Sequence, residues 1–476
     1  MNNILLKSYL RCKRKAWLDL WGDKSLKSWS AQKSIHLITE FNNFNKFTQG
    51  KLFHGEKGCE KGFQGVIGLK IKDKLNSGLE IEIQPSLLVK TKGKSIWGKY
   101  KYLPAISKLG RRTTKEHLID LALCSILLEK FQQGKVENGL IISSYKNKIN
   151  LEKISINQKL KDKSINLFTD LNSSLRENIP NITENRKKCA ICSWKNYCDT
   201  EAKSIGLLTD VDGIGTKTAK SLNNIGINNI QQLAIADKYK LTEKLFDLNK
   251  RDPYKIDKFI NQSKSLISGL PIDLKNFHAS ADILIRIKKG FFVFDIESNP
   301  DENHDFLYGF LSAENIKFKY ENCSYQPILN LTNKDNAKSN SIIFEKIYSK
   351  EYWPILHYGE TEKITLIKLA KMNNFTSEEI EKLKSRLIDL HLIIRNSWIL
   401  PIKNYSLKTV ANYVGFQWKQ KNISGSKALF WWIQYKNTNK NTFLDKIITY
   451  NKDDCFATLE IAKWYLNNDE KFLNKN

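Results

Sequence analysis

Two carboxylates stand where chemistry is easier to explain than structure. Residues 290–297 read GFFVFDIE, an apolar run rich in strand-forming side chains, so a central strand is expected there. Alternation places Phe292, Phe294 and Ile296 on one face and Asp295 with Glu297 on the other. Two carboxylates side by side on a buried strand repel each other and lose hydration. A divalent cation removes both penalties, and hard oxygen ligands suit Mg²⁺ or Mn²⁺. Further along, residues 442–466 read as an amphipathic helix with Tyr450 and Asp454 four apart on one face. Ile447, Ala457 and Ile461 share that edge, so it can pack on the sheet and bring Asp454 to Asp295 and Glu297 as a third ligand. Tyr450 would then orient an attacking water. The plainer alternative makes Asp453 and Asp454 a solvated helix face and Tyr450 ordinary core.

A second constellation is sulfur. Cys189, Cys192 and Cys198 form C-x₂-C-x₅-C, with Trp194 and Tyr197 between and beside them. Three close thiolates leave a soft-metal site one ligand short. Zinc would need one more thiolate or imidazole, and an iron–sulfur cluster one more thiolate. Cys12, in SYLRCKRKAWLDL, is the candidate fourth, while Cys59, Cys124, Cys323 and Cys455 read as buried or free thiols. A third feature is LLTDVDGIGTKTA at 207–219, where Gly213 and Gly215 precede a helix. Glycines let backbone approach a phosphate at the helix N-terminus, and Lys217 and Lys220 can add charge. A helix–turn–helix packing element is the alternative.

The elements that must position these residues can be outlined. We expect a helix over 5–20, strands over 79–89 and 99–106, a strong helix over 115–130 and a strand over 139–144. Residues 146–163 are rich in lysine and asparagine and suit a solvated connection or exposed helix face. Short helices with glycine turns follow from 205 to 270, and Pro271 with 273–280 reads as a linker. The last 200 residues alternate strand and helix patterns, the mark of an α/β domain. At 476 residues the chain calls for several cores, and 41% hydrophobic content can build them. The formal charge of +27 points to a polyanionic partner, nucleic acid first. No signal or membrane-spanning run is visible, and eight cysteines are too few for a disulfide scaffold, so a cytoplasmic protein without membrane association is expected.

DIE at 295–297 and YNKDD at 450–454 resemble the first and third motifs of DEDD exonucleases, in the subtype with tyrosine in motif three. The acid of motif two falls in PILHYGETEKITLIKLA, at Glu362, where that family usually has aspartate. Asp389, in RLIDLHLIIRNSW, resembles a structural or metal-proximal position, and PIKNYSLKTVANYVGF the substrate-side helix region. The resemblance implies a ribonuclease-H-like domain over 276–476 and a two-metal 3′–5′ exonuclease acting on DNA, or on RNA. Its Mg²⁺ or Mn²⁺ ligands would be Asp295, Glu297 and Asp454, with Glu362 as further acid and Tyr450 as water-orienting group.

An N-terminal cysteine joined to C-x₂-C-x₅-C resembles the iron–sulfur staple of RecB-type nucleases, which implies a 4Fe-4S cluster on Cys12, Cys189, Cys192 and Cys198. That resemblance also implies a restriction-endonuclease-like domain over 1–203. Ser86 in IQPSLLV and Ile106 in YLPAISKLGRR stand where its metal-binding acids belong. Such a domain would be inactive yet able to bind nucleic acid through Lys108, Arg111 and Arg112. Gly213 and Gly215 resemble a helix-hairpin-helix motif, in an all-α region over 204–272. The whole order is similar to a bacterial family of RecB-like nucleases, an α/β multidomain architecture. The rival reading is a nucleic-acid-binding adaptor that retains the cluster and has lost catalysis in both nuclease folds.

Overall fold

A computed structural model describes all residues except 76–77, 109–111, 146–147, 176–177, 250–252, 275–279, 315–321, 333–334, 421–423 and 474–476. The chain divides into two compact units, Met1–Glu201 and Ala202–Asn476. Among the described residues no helix is long and apolar enough to cross a membrane.

The first unit holds a six-stranded sheet whose strands lie side by side in chain order. They are β1 (Leu52–His54), β2 (Gly65–Ile67), β3 (Leu87–Ser95), β4 (Gly98–Ser107), β5 (Asn138–Tyr145) and β6 (Lys148–Ser155). The crossover from β4 to its parallel neighbour β5 is the helix Lys115–Gln132, which buries Ile119, Leu123 and Leu127 in the main core. The expected strand over 79–89 is broken. Glu80–Ile83 pairs instead with Ile71–Lys74, and β3 begins only at Leu87. Pro85 explains the break, since it has no N–H to give a ladder. The stretch 146–163 is also corrected: its first half is β6, an antiparallel partner of β5, and the helix Gln158–Ser174 follows.

The expected single helix over 5–20 is two, α1 (Asn3–Arg11) and α2 (Lys13–Trp21). Cys12 between them is extended, with φ −162° and ψ 116°. These helices are stitched to the end of the unit. Arg11 donates to the Lys188 carbonyl at 3.0 and 3.2 Å, Trp194 Nε1 to Asp19 at 2.9 Å, and Trp21 Nε1 to the Leu175 carbonyl at 2.9 Å.

The second unit begins with helices around their own core of Leu208, Val211, Ile214, Leu222, Leu233, Leu245, Ile256 and Phe259. Two acids flanking Val211 tie this part to the α/β region behind it: Asp212 pairs with Arg395 at 2.9 Å and Asp210 with Lys403 at 2.6 Å. Gln262 adds hydrogen bonds to the carbonyls of Leu400 (2.6 Å) and Ile402 (3.1 Å). Part of the expected linker is a short strand, Ile272–Asp273, paired with Trp398–Ile399; residues 275–279 lie outside the described set.

The α/β region is a five-stranded sheet in the order β9-β8-β7-β10-β11. Its members are β7 (Phe291–Asn299), β8 (His304–Ala313), β9 (Ser324–Leu329), β10 (Ile355–His357) and β11 (Leu387–Asp389). β8 runs antiparallel to both β7 and β9, β10 joins β7 in parallel, and β11 joins β10 in parallel. Phe292 and Phe294 bury under helices Asn336–Tyr348 and α3 (Glu360–Met372), through Ile343, Ile347, Leu366 and Leu369. Phe291 and Val293, on the opposite face, bury against Cys455, Ala457 and Ile461 of the long helix α4 (Asn441–Leu473). Asp295 and Glu297 share that second face by alternation, which is why they meet α4.

Candidate functional site

Asp295, Glu297 and Asp454 each offer a carboxylate oxygen within 4.8 Å of the others. β7 presents the first two under α4, and α4 brings down the third. Burial holds Asp295 and Glu297 well above the usual carboxylate range, and the neighbouring acids, Asp454 first, push them further. Asp454 is raised to about 6 by burial, with hydrogen bonds from Trp418 and Tyr450 opposing the shift. The Trp418 bond is 2.6 Å from Nε1. Its neighbour Asp453 is buried too and accepts from the Lys419 amide at 2.8 Å, so neither acid is part of a solvated face.

The set is braced. Asn451, fully buried one residue past Tyr450, donates to Asp295 at 2.7 Å while accepting from the Tyr325 hydroxyl at 2.8 Å. Room for it comes from Gly309, the partner of Asp295 across β7 and β8, where an added Cβ would lie 1.7 Å from the Asn451 oxygen. Gly309→Ala is therefore expected to destabilise the domain by about 1–3 kcal/mol through overpacking. An unchanged denaturation midpoint would show that Asn451 is not held as described.

Glu362 lies in the first turn of α3 but outside the trio. Burial raises it to about 7, Asp389 and Asp454 adding to the effect, and its Oε2 has no hydrogen-bond partner among the described residues. Asp389 accepts from the amides of Gly359 (3.1 Å), His391 (3.0 Å) and Leu392 (3.3 Å), a helix-capping role. His357, buried at the end of β10, contacts the Gly359 carbonyl through Nδ1 at 2.7 Å, and its Nε2 has no hydrogen-bond partner among the described residues.

Sequence reasoning missed Lys408. It sits in the helix Leu407–Tyr413, its ammonium 5.3 Å from the Trp418 ring centre and 5.5 Å from that of Tyr450. Burial lowers it to about 8, and Asp454 and Glu297 act against that. Lys408 belongs to the 401–416 segment singled out for its resemblance and Trp418 lies two residues beyond it, but nothing local marks either one; only the register of this stretch against α4 brings them in. Asn451 was legible only as part of YNKDD.

The cysteines occupy one pocket. Cys12, Cys189, Cys192 and Cys198 line it with Arg11, Arg14 and Arg186 close by. No three of their sulfurs, among the described residues, come within 4.8 Å of one another. Burial raises the thiols of Cys189, Cys192 and Cys198. Arg14 Nε and Arg186 Nη1 are buried there without a hydrogen-bond partner among the described residues.

The remaining residues are dispersed. Gly213 has φ +85°, a conformation that favours glycine, and a Cβ on Gly215 would meet nothing within 4 Å, so backbone there is approachable. Lys217 and Lys220 are exposed on the helix Thr216–Asn224 that follows. Lys108 is mostly buried, with its ammonium 2.7 Å from Glu152 and 3.0 Å from Thr113, and is not presented to solvent. Ser86 lies just before β3, and Ile106 is buried in β4. Arg112 is exposed, and Arg111 lies outside the described residues.

Residues 292–466 match the family model RNase_H_2, of the RNase_H superfamily. No curated protein matches the chain. The C-terminal α/β region is thus RNase H-like, and the acid trio lies inside the matched span.

Proposed function

We propose that the C-terminal domain is a metal-dependent nuclease, a 3′–5′ exonuclease that hydrolyses phosphodiester bonds of DNA in preference to RNA, in the cytoplasm. The observation that carries this reading is the convergence of Asp295, Glu297 and Asp454 in an RNase H-like fold. Three converging carboxylates, each raised by burial and two of them, Asp295 and Glu297, raised further by Asp454, fit a bound divalent cation. Asp295, Glu297 and Asp454 would hold Mg²⁺ or Mn²⁺, with Glu362 as the further acid of a two-metal site. Bound there, the cations supply Lewis acidity that makes water nucleophilic and eases departure of the leaving oxygen. The chain's own groups do the rest. Asn451 fixes the orientation of Asp295, and the Tyr450 hydroxyl, bonded to Asp454, orients the attacking water. Lys408 offers its charge to the phosphate being cleaved.

The test is hydrolysis of end-labelled single- and double-stranded DNA and RNA with Mg²⁺, Mn²⁺ or EDTA, the product ladder giving polarity. Metal-dependent release of nucleotides from the 3′ end is expected. Binding without turnover would replace this reading with the adaptor. Lys408→Gln is expected to lower kcat/KM by roughly 10- to 100-fold, largely through KM, because a charge-assisted bond to phosphate is lost. Lys408→Arg should recover much of it, and wild-type kinetics in both variants would remove Lys408 from the site.

The N-terminal part completes the proposal: an inactive RecB-type domain over 1–203, a helix-hairpin-helix region over 204–272 meeting phosphates at Gly213, Gly215, Lys217 and Lys220, and the nuclease domain over 276–476. Cys12, Cys189, Cys192 and Cys198 would hold a 4Fe-4S cluster. The unpartnered nitrogens of Arg14 and Arg186 suit an anionic group. Anaerobically purified protein should carry iron and acid-labile sulfide, and Cys12→Ser should lose most of both. Stoichiometric zinc would overturn the cluster.

A further inference from the structure

Large apolar side chains lie exposed along the first helices and the loop at Trp29 that joins them. Trp29 is 59% exposed, Leu37 57% and Phe41 52%. Soluble proteins scatter such residues singly, and a concentration of them marks a binding surface. Between these helices lies an open groove of about 490 Å³, within the size range of small-ligand sites. Ile4, Leu5 and Leu20 form its apolar lining, and Lys15, Lys27 and Lys33 its charged rim. On the helix Ala31–Phe47 the series Lys33, Leu37, Phe41 falls at four-residue intervals, so one exposed face runs on from the rim.

The charge is lopsided. Asp19 is the acid in the groove, and both Lys15 and Lys27 pair with it, the latter at 3.1 Å, leaving the rim positive before Lys33 is added. Residues 1–47 carry nine basic and three acidic side chains. We infer that this groove and the adjoining Lys33–Leu37–Phe41 face bind single-stranded nucleic acid. Unpaired bases offer flat apolar faces to Phe41, Leu37 and the lining, and the phosphates between them meet the lysines. A duplex keeps its bases stacked and cannot use the apolar part. An acidic peptide would satisfy the lysines alone, without using the rings. The inference rests on the reading that the polymer handled by this chain is nucleic acid, but it requires no hydrolysis.

Binding of a labelled oligodeoxythymidine, and of a duplex of equal length, is measured by anisotropy with the full chain in EDTA. Phe41→Ala and Lys33→Glu, both at exposed positions, are expected to keep the wild-type melting temperature. Each should weaken single-strand binding about tenfold, the loss of roughly one stacked base or one phosphate contact. Duplex affinity should change little with Phe41→Ala. Unchanged single-strand affinity in both variants overturns the inference, as does an equal loss for duplex, or a variant effect confined to acidic peptides or to self-association. Cleavage with Mn²⁺ by the same proteins separates the two claims. A chain that never cleaves but loses binding in these variants keeps the groove and loses the nuclease; one that cleaves with binding unaltered keeps the nuclease and loses the groove.

Discussion

Asp295→Asn and Asp454→Asn should each lower single-turnover cleavage by roughly 10³-fold or more. Both substitutions remove a carboxylate from a set whose oxygens converge within 4.8 Å, and no other carboxylate joins that set among the described residues. Loss of transition-state charge stabilisation by a metal is worth several kcal/mol, and about 4 kcal/mol corresponds to three decades in rate. Asparagine preserves shape, so folding is not at issue. Glu362→Gln should cost less, because Glu362 stands outside the trio. Single-turnover assays decide between outcomes cleanly: cleavage that survives in both asparagine variants would put the chemistry elsewhere in the chain.

The second large effect is on stability, and its sign follows from the same acids. In EDTA the thermal midpoint should fall as pH rises from about 4 to about 8. Asp454 is raised to about 6 and Glu362 to about 7, against about 4 for such groups in an unfolded chain. A folded state that binds protons more tightly is favoured at low pH. That advantage is complete below the unfolded value and is lost as pH climbs through the folded one. For Asp454 alone the loss is on the order of 3 kcal/mol. Mn²⁺ should flatten the slope, because the ionised acids then have a partner. Asp295→Asn should raise the midpoint in EDTA near neutral pH and reduce its response to the cation. A midpoint in EDTA that is level or rises over that range would mean the carboxylates are not held as buried, mutually repelling groups.

The α/β region was legible because its strongest signals are local. Phe292, Phe294 and Ile296 alternate with the acids along β7, and the apolar edge of α4 repeats at helical spacing, so each element could be drawn from its own residues. The bracing of the site was not. Asn451 reaches Asp295 only because Gly309, on a different strand, leaves a gap, and a glycine in a strand has many causes. Lys408 and Trp418 depend on tertiary register in the same way. In the first unit, Pro85 marked a break in the strand that an overall β pattern concealed, and Lys148–Ser155 hid a period-two strand within a lysine-rich composition. The interruption at Cys12 had no local sign, since SYLRCKRKAW continues a helical pattern. It follows from bonds to residues near the other end of the unit.

Those bonds set a timetable for synthesis. Arg11, Asp19 and Trp21 find their partners at Lys188, Trp194 and Leu175, so α2 and the turn at Cys12 close only when almost the whole first unit has left the ribosome, later than α1, whose Asn3 and Lys7 reach Gln84 and Asp120. At typical elongation rates that interval is roughly 10–40 s. Throughout it α2, which is basic and apolar, waits for its partners. A helper that shields this segment should therefore raise the yield of folded protein more than one that acts after release.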